Sequence, residues 1–228
     1  MSIKKAVLFD LDGTLIDTAP DFIRIIKSLC GQHAMPTPSD TAIREQVSAG
    51  ARAMVKLMFN NPTLPDDDAD LLNFRLLFLD EYEKNICIDS RLFDGLAPLL
   101  SFLESHSVKW GIVTNKPKYL AQKLLVQLGL SARCQVLICP DDVKNPKPDP
   151  ESLWLACETL GLVAKDCLYV GDHRRDIEAG RRAGMTTVIA SYGYIPPEDK
   201  NLRDWGADVI VESPADLRAY CEEWLKTD

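Results

Sequence analysis

Long apolar runs are missing from this sequence. No stretch reaches the roughly 18 apolar residues that a membrane-spanning helix needs, so no membrane span is expected. Strand-like sequence starts directly behind Met1-Ser2-Ile3-Lys4-Lys5, leaving no room for a signal peptide, and the expected location is cytoplasmic. Cys-x-x-Cys pairs are also missing. The seven cysteines are an odd number and lie scattered at Cys30, Cys87, Cys134, Cys139, Cys157, Cys167 and Cys221. That pattern argues against a disulfide framework and against zinc, and for reduced, mostly packed thiols. Positive charge is scarce: 26 Lys and Arg face 34 Asp and Glu, for a net charge of -8. Without a long basic run, binding to a nucleic-acid backbone is disfavoured. No Ser-His-Asp arrangement, P-loop or G-x-G-x-x-G occurs. An acidic chain can still bind a small phosphate through a metal ion and one or two placed lysines.

Hydrophobic residues make up 46% of the chain, enough for a large core. The richest stretch comes early: Ala6-Val7-Leu8-Phe9 reads as a buried parallel strand and ends at Asp10-Leu11-Asp12-Gly13-Thr14. Past a strand end, Asp10 and Asp12 can face one small space. Two crowded carboxylates repel unless a cation or a shared proton neutralises them. Mg²⁺ suits, because it takes oxygen ligands. Gly13 permits close approach of a ligand, and Thr14 adds a hydroxyl and an N–H. The plainer reading is turn chemistry, in which Asp closes turns and Gly supplies positive φ. An EF-hand does not fit, since its glycine falls at the sixth position of the loop.

Residues 17–88 read as a compact helical insert without strand-like alternation. Ser39 or Asp40 is a candidate helix cap, and Pro65-Asp66-Asp67-Asp68 looks like a first helical turn. From Phe93-Asp94-Gly95 onward, helical and strand-like stretches alternate. Strands are expected at 108–113, 136–139, 167–170, 186–190 and 208–211. Helices are expected at 96–105, 119–128, 151–160, 174–183 and 215–225. This alternation predicts an α/β fold with a doubly wound parallel sheet. Such sheets bind ligands beyond the carboxyl ends of their strands.

Three further strand ends carry polar residues. Thr114-Asn115 can bond phosphate oxygens, or simply cap a helix. Lys147, set among Pro146, Pro148 and Pro150, is held by stiff backbone, or lies in an ordinary surface loop. Gly171-Asp172 follows a strand, with Asp176 one helical turn on; both acids can face a site or merely favour a helix N-terminus. His173 reads as an exposed or packing residue. The four tryptophans, Trp110, Trp154, Trp205 and Trp224, read as packing residues too.

Taken in order, Asp10-Leu11-Asp12-Gly13-Thr14, Thr114-Asn115, Lys147 and Gly171-Asp172 through Asp176 resemble the haloacid dehalogenase superfamily of phosphotransferases. The resemblance spans nearly the whole chain and implies a Rossmann-like core, 1–16 and 89–228, with 17–88 as a type 1 helical cap. It implies Asp10 as nucleophile, forming an aspartyl-phosphate, and Asp12 as general acid/base. Thr114 would hold the phosphoryl group and Lys147 would neutralise it. Mg²⁺ would sit on Asp10, the Asp12 carbonyl and Asp172, with Asp176 supporting the ion or Lys147. Gly13, Thr14 and Asn115 would bind substrate. Many relatives have Ser or Thr where His173 stands, which leaves any hydroxyl contact there in doubt.

Substrate choice should be written in the insert. Ser48-Ala49-Gly50-Ala51-Arg52 is a Gly turn opening a helix, a ready anion site, and Arg52 can pair with a substrate carboxylate, or be a solvated helix residue. Longer stretches resemble two branches of the superfamily. These include Ala49 to Met54, Leu137 to Asp141, Tyr192 to Ile195 and Trp205 to Asp208. They point to the N-acetylmuramic acid 6-phosphate phosphatases of peptidoglycan recycling ahead of the phosphoglycolate phosphatases. The expected partner is a small phosphorylated metabolite, with no nucleic acid, no membrane, and a monomer or weak dimer. Two other classes fit parts of the pattern: a phospho-accepting receiver domain, which is shorter and lacks the insert, and a pure metal-binding role.

Overall fold

The structure, a computed structural model, describes residues 5–226. The reading of Met1 to Lys4 lies outside the described residues. Six parallel strands form the main sheet: β1 (Ala6–Phe9), β4 (Lys109–Val113), β5 (Leu137–Ile138), β6 (Cys167–Gly171), β7 (Thr186–Ala190) and β8 (Val209–Val211). Their order is β5-β4-β1-β6-β7-β8. The expected doubly wound α/β sheet is therefore present. β1 is its centre, in register with β4 on one side and β6 on the other. Every β1 side chain is fully buried. Val7 and Phe9 join one apolar cluster, while Ala6 and Leu8 join another, so the strand faces two cores. Burial on both faces is why its sequence is a continuous apolar run and not an alternation. The chain leaves β1 toward β4 and later returns to β6, so the order reverses beside β1. The crevice at that reversal lies beyond the carboxyl ends of β1, β4 and β6.

Helices cover the sheet: α5 (Leu96–Ser105), α6 (Lys118–Gln127), α7 (Glu151–Leu160), α8 (Arg174–Ala183) and α9 (Pro214–Trp224). Helices α7 and α8 end at Gly161 and Gly184, both in the left-handed region at φ 67° and 81°. The insert supplies α1 (Ala19–Gln32), α2 (Asp40–Gln46), α3 (Ala51–Met58) and α4 (Ala69–Lys84), which pack on one another. Phe22 of α1 meets Phe78 and Tyr82 of α4, with ring centroids 5.6 and 4.5 Å apart. Among the described residues, no helix is long and apolar enough to cross a membrane.

Three local expectations are corrected. Pro65 to Asp68 is a turn ahead of the helix, not its first turn: Asp68 is the N-cap, accepting from the N–H groups of Asp70 and Leu71. The stretch 17–88 does touch a strand. Asp17 belongs to β2 (Ile16–Asp17), which pairs antiparallel with β3 (Arg91–Leu92) where the chain leaves and re-enters the sheet domain. Strands of two residues carry no periodicity to read. Trp154 is 52% exposed and so is not a packing residue, unlike Trp110 and Trp205, which are buried.

Buried Asp21 ties the same junction. Its carboxylate accepts from the Asp89 and Ser90 N–H groups and the Ser90 hydroxyl, and it pairs with Arg24. All seven cysteines are free thiols, five of them buried.

Candidate active site

The carboxyl ends of β1, β4, β5 and β6 each lead into one part of the site. Asp10 continues the sheet beyond β1, its N–H bonding to Val170 O at 2.8 Å. Its carboxylate sits 3.0 Å from Lys147 Nζ. That ammonium has three protons, and all are spent elsewhere: on Val113 O at 2.9 Å, Tyr169 Oη at 2.7 Å and Asp176 Oδ1 at 2.7 Å. Asp10 Oδ1 is therefore buried beside a positive charge yet receives no hydrogen bond.

Asp172 and Asp176 are fully buried. Asp172 accepts at Oδ1 from Thr14 Oγ1 (2.9 Å), and at Oδ2 from Ser48 Oγ (2.7 Å) and the Tyr194 N–H (2.8 Å). Burial, and then the neighbouring carboxylates of Asp10 and Asp176, push its pKa up to about 8. Asp176 opens α8, and its Oδ2 accepts from the His173 N–H at 3.1 Å. His173 is the cap of that helix: Nδ1 accepts from the Arg175 N–H. Burial, followed by the Arg175 charge, lowers its pKa to about 4, so the ring stays a neutral acceptor near pH 7.

Oxygens of Asp10, Asp172 and Asp176 lie within 4.8 Å of one another. Three buried acids, one with an unsatisfied oxygen and one with a raised pKa, share the single positive charge of Lys147. An all-oxygen donor set of this kind fits a hard divalent cation. The Asp12 carboxylate stands apart from this triad. It accepts from Thr18 Oγ1 (2.7 Å) and from Lys116 Nζ (3.0 Å), while its carbonyl oxygen faces Ser48 Oγ at 3.3 Å.

Three residues expected to bind substrate have partners within the protein. Gly13 and Thr14 both lie against Asp172. Gly13 has φ +84°, and a Cβ there would lie 2.1 Å from Asp172 Oδ2. The glycine is required by close packing against an acid. Thr14 is fully buried with its hydroxyl committed to Asp172. Asn115 Nδ2 donates to the Lys147 carbonyl at 2.9 Å, which holds the lysine's loop against the end of β4. Thr114 is buried at that strand end, and its Oγ1 accepts from the Lys116 N–H at 3.2 Å.

A cavity of about 610 Å³ lies between the insert helices and the strand ends. Asp10, Asp12, Thr114 and Asn115 form its floor, and Arg52 of α3 stands on its wall. Arg75 of α4 and Arg175 of α8 line it too. Neither has a role in the sequence reading, nor does Lys116, and Ser48 and Tyr194 have none there toward Asp172. For Lys116 a signal existed, its place directly after Thr114-Asn115. Ser48 and Tyr194 lie in stretches read for substrate choice and for resemblance, but their bonds to Asp172 come from loops whose sequence does not announce them. Arg52, Arg75 and Arg175 make no ion pair among the described residues.

A model described as haloacid dehalogenase-like hydrolase matches residues 7–190. An N-acetylmuramic acid 6-phosphate phosphatase of Pseudomonas putida is 50% identical over 222 residues, covering 97% of each chain. A phosphoglycolate phosphatase of Xanthomonas campestris is 42% identical, covering 95% of this chain and 96% of the relative. Among solved structures, a predicted phosphoglycolate phosphatase from Haemophilus somnus superposes with a TM-score of 0.82 at 27% identity, over 97% of this chain and 99% of that one.

Proposed function

The chain belongs to the haloacid dehalogenase-like hydrolase family, and from that premise we propose that it is a Mg²⁺-dependent phosphatase of N-acetylmuramic acid 6-phosphate. The observation that carries the reading is the buried triad Asp10, Asp172 and Asp176 beside Lys147, with Asp10 lining a cavity edged by unpaired arginines.

Asp10, Asp172 and the Asp12 carbonyl would hold the ion, with Asp176 fixing Lys147. When bound, Mg²⁺ neutralises phosphoryl oxygens, the main demand of phosphoryl transfer. Asp10 attacks phosphorus, forming the aspartyl-phosphate as the bond to the leaving oxygen breaks. Asp12 hands its proton to that oxygen, then takes one from the water that releases phosphate. Thr114 and Asn115 line the floor where the phosphoryl group docks. Residues 17–88 act as the cap that shuts out water, over a core of 1–16 and 89–228.

Cavity size and charge support the larger substrate. A volume near 610 Å³ suits a sugar phosphate, whereas a two-carbon acid would leave most of it empty. Arg52 is available for the lactyl carboxylate of muramic acid. The names of the relatives also favour 2-phosphoglycolate as a second reading, since that substrate too carries a carboxylate. Turnover of both esters by the purified protein, with and without Mg²⁺, is the test. The expected result is Mg²⁺-dependent release of phosphate with the higher kcat/KM on the muramic acid ester. Preference for 2-phosphoglycolate would reverse the choice, and no Mg²⁺-dependent hydrolysis of either would remove the phosphatase reading.

A further inference from the structure

We propose that Lys116 is a positioning residue for proton transfer, holding Asp12 in place while two aromatic rings of the insert hold Lys116. This rests on the phosphatase reading above. A lysine ammonium is costly to bury, and the Lys116 side chain is only 5% exposed. Its charge is met on three sides. Asp12 Oδ1 lies 3.0 Å away and Oδ2 3.3 Å away. The Tyr82 ring centroid is at 4.3 Å and that of Phe22 at 5.0 Å, distances at which ring faces attract a cation.

The two oxygens of Asp12 are treated differently. Oδ1 accepts both from Thr18 Oγ1 at 2.7 Å and from Lys116. Oδ2 has only the longer Lys116 contact. Oδ1 is thus the anchored oxygen, and it can accept these bonds whether or not the carboxyl carries a proton. Oδ2 retains the lone pair that exchanges the proton. Asp10, Asp12 and Lys116 border the same cavity, so the Asp12 carboxyl stands beside the nucleophile, on the space the leaving oxygen enters. In the first step the Asp10–phosphorus bond forms, the phosphorus–oxygen bond breaks, and its electron pair takes the proton from Oδ2.

Lys116 also joins the two halves of the molecule. Its backbone N–H is fixed by Thr114 Oγ1 beside the phosphoryl floor, while its head rests on rings of α1 and α4. The acid is therefore aligned only while the insert helices stand over the core. Positioning of this kind should matter in proportion to how badly the leaving group needs a proton.

The experiment measures rapid-quench rates of leaving-group release from a series of phosphate esters. The series runs from p-nitrophenyl phosphate, whose phenolate departs unprotonated, to alkyl and sugar phosphates. Wild type should show rates that vary little with leaving-group basicity. Lys116→Met keeps the stem but removes the charge. It should lose about 10–100-fold on alkyl esters, part of the roughly 10²–10⁴-fold that a placed acid supplies. Its first-turnover release of p-nitrophenolate should stay near wild type. Lys116→Arg should recover most of the alkyl rate. Tyr82→Leu removes a ring while leaving the ammonium, and should give a smaller loss with the same dependence. Equal loss across the series, or a raised KM alone, would overturn the assignment in favour of a structural or substrate-binding lysine. A wild-type protein that hydrolyses no ester would instead sink the phosphatase reading beneath it.

Discussion

Replacing Lys147 by Met should unfold this protein more readily than any change in its apolar core of similar size. Met matches the length of the stem and removes only the ammonium. That group touches Asp176 Oδ1 at 2.7 Å and Asp10 Oδ1 at 3.0 Å, with its own side chain 1% exposed. Without it, the clustered oxygens of Asp10, Asp172 and Asp176 face each other with no cation in contact. Removing one partner of a buried pair costs about 3–5 kcal/mol, because the surviving charge is left uncompensated. The two pairs share one ammonium and do not add, so that single-pair range applies. At roughly 2–4 °C per kcal/mol for a chain of this size, the melting temperature should fall by about 6–20 °C. A divalent ion offers the missing charge at the same spot. Mg²⁺ at about 100 times its dissociation constant should return about 2.7 kcal/mol. The assay is thermal and urea unfolding of both proteins in EDTA and in Mg²⁺. A variant within about 1 kcal/mol of wild type in EDTA would refute this account of what the lysine neutralises.

Other consequences are as specific. Asp10→Asn should abolish turnover while leaving the fold intact, and hydrolysis at near the wild-type rate would assign the nucleophile elsewhere. Asp172 has a folded pKa raised to about 8, so its stabilising contribution is complete below the unfolded carboxylate value and is lost as pH climbs through about 8. The gap in melting temperature between Mg²⁺-loaded and metal-free protein should therefore widen from about pH 5 to about pH 8; a constant gap would contradict it. Gly13→Ala forces a left-handed backbone on alanine, worth about 1–3 kcal/mol by itself. It also drives a methyl group into Asp172, so Mg²⁺ affinity measured by calorimetry should fall with stability. Unchanged Mg²⁺ affinity in that variant would separate Gly13 from the ion site.

Much of the architecture was legible because it is local. The run Ala6 to Phe9 named its own strand, and the helices 96–105, 151–160 and 174–183 begin and end where their apolar spacing and glycine stops place them. β2 and β3 were invisible, being too short for any period. The exposure of Trp154 was also unreadable, since residue type alone does not say which side of a helix faces water.

The site divides along the same line. Which acids and which lysine stand just past strand ends follows from order along the chain, and a parallel sheet gathers strand ends on one edge whatever else the molecule does. What each polar group spends its hydrogen bonds on does not follow from order. Thr14 and Gly13 turn to Asp172, Asn115 to the Lys147 carbonyl, and Lys116 to Asp12, across gaps in sequence that no periodicity spans. Hydrogen bonds act over about 3 Å, so their partners are chosen only once packing has brought distant segments together.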